Sequence, residues 1–108
     1  MELSFATAAL RSICEKRQKA SAALGKVAAI ELAARIADLV ACETASELID
    51  LFPEDIVALN PRERAIRLRA GLELRFCSGH VKTPTSGAGT DWSRVTRIKI
   101  IGLETVDD

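Results

Sequence analysis

Arg67, Arg69, Arg75, Arg97 and Lys99 sit at alternate positions of three segments, 65–69, 72–76 and 95–101, whose other positions are mostly apolar. A half-buried strand alternates in this way, but solvation does not require its wet side to be arginine and lysine. A guanidinium can bond two phosphate oxygens at once. Cations fixed on one face could therefore hold a phosphate-bearing ligand. Arg67 and Arg75, with Arg62, Arg64, Arg69, Arg97 and Lys99, are the candidate phosphate-binding cations. The chain's charge distribution agrees. Its 15 basic and 15 acidic residues cancel overall, yet residues 60–100 hold nine Lys/Arg against three acids, a net of +6. Such asymmetry indicates an anion-binding face on an acidic body. A merely solvated surface accounts for the same counts.

Other residues capable of chemistry have plainer readings. Cys77-Ser78-Gly79-His80 has the spacing of half a zinc site. Completing it would take Cys14 and Cys42, which occupy core-stripe positions, so buried thiols, a loop histidine and no metal are expected. Gly87-Ala88-Gly89 lacks the Lys-Ser/Thr and the following helix of a phosphate loop. Ser, Cys and His are too scattered to form a nucleophile–base pair. Trp92, the only tryptophan, is expected to be a lid on the core rather than a stacking platform. No cofactor is implied.

The elements that must position these residues are those of one domain, residues 1–108. Apolar residues make up 48% of the chain, without a run long enough to cross a membrane. No signal peptide is visible at the start, and three cysteines in a short chain fit a reduced, cytoplasmic setting. A strand at 2–6 should lead into a helix at 8–19 with the stripe Leu10, Ile13, Cys14. Ser21 reads as the N-cap of a second helix reaching Cys42, the two forming an antiparallel hairpin. Thr44 could start a short helix at 45–51. Strands are expected at 65–70, 72–77 and 95–103, with 78–90 a loop.

This is an α+β pattern, a helical hairpin on one face of a twisted antiparallel sheet. Ile66, Leu68, Leu74, Phe76, Ile98 and Ile100 should share a buried face with Leu10, Ile13, Leu32 and Ile36. Pairing Leu68 with Leu74 and Ile66 with Phe76, around the loop Ala70-Gly71-Leu72, keeps the apolar residues together. The wet face then sets Arg69 against Glu73 and Arg67 against Arg75, with Arg97 and Lys99 alongside. Two arginines directly opposite each other cost a few tenths of a kcal/mol unless an anion neutralises them.

The order strand, helix, helix, three-strand meander resembles the RelE/ParE superfamily of bacterial toxins, and within it the HigB-type killer proteins of plasmid maintenance systems. The likeness is most specific at Asp91-Trp92-Ser93-Arg94-Val95-Thr96-Arg97-Ile98-Lys99-Ile100-Ile101-Gly102-Leu103-Glu104, the entry to the last strand, and next at the hairpin from Ile66 to Phe76. The resemblance implies a RelE-like fold and the toxin of a type II toxin–antitoxin pair. Such a toxin is an endoribonuclease that cuts mRNA on the ribosome and is silenced by a helix-turn-helix antitoxin. It also implies attack of a ribose 2′-OH on the adjacent phosphate, held here by Arg67 and Arg75. The chain departs from the pattern in three places, the first being the Lys-Gly before the hairpin, which appears as Asn60-Pro61 or is displaced to Arg62. Leu72-Glu73 stands where Trp-Arg is usual, and the usual C-terminal Tyr-His falls on Val106-Asp107. Any cleavage is therefore expected to be weak and carried by the arginines. The alternative is a catalytically degenerate member of the fold that binds protein or nucleic acid.

Overall fold

A computed structural model describes residues 1–69 and 71–106; Ala70, part of the expected hairpin loop, and Asp107 and Asp108 lie outside the described residues. The fold is α+β. After the strand Glu2–Phe5 (β1), the Thr7 hydroxyl accepts the Leu10 N–H at 3.1 Å and caps α1, Ala8–Glu15. The expected single helix over 8–19 is interrupted at Lys16, whose backbone is extended (φ −115°, ψ 111°), and α2 runs Arg17–Leu24. Ser21 lies inside α2 rather than opening the next helix. The turn comes at Gly25, at φ 89° and ψ 161°, a conformation that only glycine adopts without strain. From it starts α3, Lys26–Ala41, which packs back on α2. The hairpin exists, with its corner four residues later than Ser21.

The C-terminus of α3 is closed from far away in sequence. The Met1 ammonium donates to the carbonyls of Leu39, Val40 and Cys42 at 3.1, 2.7 and 2.6 Å, placing positive charge where the helix dipole is negative and carbonyls lack partners. Thr44 caps α4, Ala45–Leu51, by accepting the Glu47 N–H at 3.3 Å, as its sequence position implies.

Five strands form one mixed sheet in the order β1-β7-β4-β3-β2. These are β2 (Ile56–Asn60), β3 (Glu63–Leu68), β4 (Leu72–Ser78) and β7 (Arg97–Thr105), together with β1. All pairings are antiparallel except β1 with β7. The edge strand β2 was not expected, because its five uncharged residues carry no sustained alternation between Pro53 and Pro61. Inside the expected loop 78–90, Thr85–Ser86 (β5) pairs with Gly89–Thr90 (β6), and a single 3-10 turn, Trp92–Arg94, precedes β7.

The inner face carries Ile66, Leu68, Leu74, Phe76, Ile98 and Ile100, all buried in one cluster with Leu32, Leu39 and Leu48, against which Leu10, Ile13 and Ile36 pack. Trp92 is buried, edge-on to Phe76 with ring centroids 5.8 Å apart, and acts as the expected lid. Among the described residues, no helix is long and apolar enough to cross a membrane.

Candidate phosphate-binding face

The β3–β4 hairpin pairs Ile66 with Leu74, Arg67 with Glu73 and Leu68 with Leu72. This corrects the expected register by two residues. The turn lies between the paired Leu68 and Leu72, and Gly71, at φ 77°, stands last before Leu72. A three-residue hairpin loop wants its left-handed residue in that final position, and only this register provides it. A slip of two preserves which side each residue faces, so the apolar side is as expected while the outer partners change. Arg67 faces Glu73, not Arg75, which instead pairs with Ala65.

The bulge at Ile101 shifts β7 so that Arg75 faces Gly102 and Glu73 faces Glu104. The outer face therefore presents Arg67, Arg75, Arg97 and Lys99 interleaved with Glu2, Glu63, Glu73 and Glu104. It is balanced in charge rather than uniformly basic. Reading cations by segment missed this; counting acids at the same strand parity reveals it. The like-charged pair directly across the sheet is Glu73–Glu104, not two arginines.

Glu73 organises the centre. Its carboxylate accepts from Arg75 Nε at 2.7 Å and lies 2.6 Å from the second guanidinium nitrogen, with the Glu73 side chain 8% exposed and that of Arg75 40%. A buried carboxylate held by two charge-assisted contacts is a fixed element. Arg67 and Arg75 are diagonal neighbours across the strands, a relation that spans about 7–8 Å and somewhat less at the Cβ atoms, so both guanidiniums could reach one anion. Farther along the face, Arg97 pairs with Glu2 at 3.2 Å, an exposed contact of little energetic weight. Lys99 lies between Cys77 and Ser4.

The remaining candidate cations lie elsewhere. Arg64 points to the inner side, its guanidinium 5.0 Å from the Trp92 ring centroid and bonded to the carbonyls of Asn60 and Glu63. Arg62 is in the β2–β3 turn, where its N–H is held by the Asn60 side chain. Arg69 begins the β3–β4 turn, its backbone N–H donating to the Glu31 carboxylate at 2.8 and 3.0 Å. With Arg67 it lines a groove of about 430 Å³ against α3.

The thiols and the histidine are placed apart from the arginines' chemistry. Burial, helped by Glu15, pushes the Cys14 thiol up to about 11, and burial also raises Cys42 and Cys77. At neutral pH such thiols are protonated and poorly nucleophilic. His80 Nε2 accepts the Thr96 N–H at 3.0 Å, so its lone pair is committed to the backbone. Comparison with protein-family models, with curated proteins and with solved structures returns no match.

Proposed function

We propose that this protein is the toxin of a type II toxin–antitoxin pair, with a RelE-like fold. In this reading it is a ribosome-dependent mRNA endoribonuclease of the cytoplasm, silenced by a helix-turn-helix antitoxin. The supporting observations are the order strand, helical hairpin, meander, and a final strand running parallel to the first. The observation that carries the reading is the diagonal pair Arg67 and Arg75 at the strand parity opposite to the core residues, Arg67 at the edge of the groove beside α3 and Arg75 pinned by a buried carboxylate. Such a pair is suited to clamping a phosphodiester along an extended single strand, where backbone and 2′-OH remain accessible.

Induced expression in bacteria should arrest growth and yield transcripts cut within translated sequence. Replacing Arg67 and Arg75 together by alanine should release the arrest, and co-expression of an adjacent helix-turn-helix protein should restore growth. Intact transcripts in arrested cells, or arrest indifferent to both arginines, would count against the reading. A catalytically degenerate binding module is the second reading, favoured by the commitment of Arg75 to Glu73. That module would bind RNA in a salt-dependent manner and leave transcripts whole.

A further inference from the structure

The outer face holds a second carboxylate whose chemistry the clamp does not use. Glu104 is exposed on β7, directly across from Glu73. Glu73 is spent on Arg75 through contacts of 2.6 and 2.7 Å, whereas no ion pair to Glu104 is present among the described residues. The Glu104 side chain leans back over Gly102, where a Cβ would stand 3.3 Å from its Oε1. Gly102 is the residue facing Arg75. The lack of a side chain there leaves the carboxylate lying toward the arginine that would hold the phosphate. Two glutamates opposed across a sheet are destabilising, and of this pair one is anchored and the other unspent. His80 is tied to the Thr96 N–H and the three thiols are held protonated.

Resting on the ribonuclease reading above, we propose that Glu104 is the general base of this face and that Glu73 is the positioning residue for Arg75. The Glu104 carboxylate takes the proton of a ribose 2′-OH. The 2′ oxygen bonds to the adjacent phosphorus, the bond from phosphorus to the 5′ oxygen breaks, and that oxygen takes a proton from water. The products are a 2′,3′-cyclic phosphate and a 5′-hydroxyl, and Glu104 returns its proton to solvent. Arg67 and Arg75 neutralise the phosphorane between the two steps.

The test is single-turnover cleavage of mRNA on a programmed ribosome, followed against pH for the wild type, Glu104→Gln and Glu104→Asp. Glu104→Gln should cut about 10²–10⁴-fold more slowly and lose the acid limb of the rate profile. Glu104→Asp, which keeps the carboxylate, should retain that limb at a reduced rate. Affinity for the same mRNA bearing a 2′-O-methyl at the cut site should be no weaker in Glu104→Gln, since a negative charge has been removed. A wild type that cuts while Glu104→Gln cuts equally fast with an unchanged profile overturns the assignment of Glu104 alone. A wild type that leaves the mRNA whole overturns the ribonuclease reading and this one with it.

Discussion

The two faces of the five-stranded sheet obey different rules. On the inner face, Ile66, Leu74, Phe76, Ile98 and Ile100 are all at most 1% exposed and gain their free energy from removal from water, a non-directional effect that asks only that they point the same way. On the outer face, four cations and four carboxylates alternate across the strands, and what each does depends on which residue stands opposite. Sliding the β3–β4 hairpin by two residues would leave the first face apolar. The second would be rewritten, with Arg67 brought against Arg75 and Glu73 moved away from Arg67. Stability is thus written in the alternation, and chemistry in the register.

The largest expected effect separates the faces most sharply. Phe76→Ala should lose about 3–5 kcal/mol of unfolding free energy, the usual result of emptying a buried aromatic site. Arg67→Ala, two positions before the turn on the other side, should stay within about 0.5 kcal/mol. Denaturant titration of the two variants measures both, and comparable losses would mean that the outer face is structural. Gly25→Ala comes next. Its backbone lies in a region closed to residues with a Cβ, so about 1–3 kcal/mol should be lost although nothing lies near the added methyl. A variant as stable as the wild type would mean that the α2–α3 corner relaxes without cost.

These two variants also mark how far the sequence could be read. The inner face and the Thr44 cap were legible because burial and capping impose local periods and residue types that survive in any register. The break at Lys16 was not, since no proline or glycine marks it and the apolar stripe continues through Cys14. The corner at Gly25 was legible in principle: a glycine inside a long alanine-rich pattern is a C-cap signal, and Ser21 was the weaker choice. At the candidate site, Arg67 and Arg75 were found by residue type, and their sharing of one face by parity. Their partners were not, because parity is blind to a shift of two and the bulge at Ile101 leaves no mark in the alternation. The position of Gly71 in the turn was the missed clue. Arg64 was read as a candidate RNA-binding cation, although strand parity puts it with Ile66, where it covers Trp92.

A smaller effect tests the register itself. If Glu73 neutralises Arg75, Glu73→Gln should raise RNA affinity several-fold at low salt and steepen the fall of log affinity with log salt by about 0.7, the increment for one more phosphate contact on a single strand. Were Arg75 free of Glu73 in solution, the same substitution would leave the slope unchanged.

The smallest expected effect lies at the rim, where the inner face is closed by Trp92. Asp91 accepts from the Ser93 hydroxyl at 2.6 Å, the Ser93 N–H at 3.2 Å and Arg94 Nε at 2.8 Å. These contacts, the serine first and the arginine next, hold its carboxyl below the ordinary value of 3.8. A group whose folded pKa is depressed stabilises the fold above its unfolded value and loses that contribution as pH falls through the folded one. Asp91→Asn should therefore melt slightly below the wild type at neutral pH, and the gap should close as pH drops beneath the ordinary carboxylate value. The side chain is only partly covered and its partner Arg94 is largely exposed, so the effect must be small and should shrink further in high salt. A gap that stays constant into strong acid would show that the amide fails as a cap for geometric reasons. The charge of Asp91 would then play no part in seating Trp92 on Phe76, and the inner face would owe its lid to packing alone.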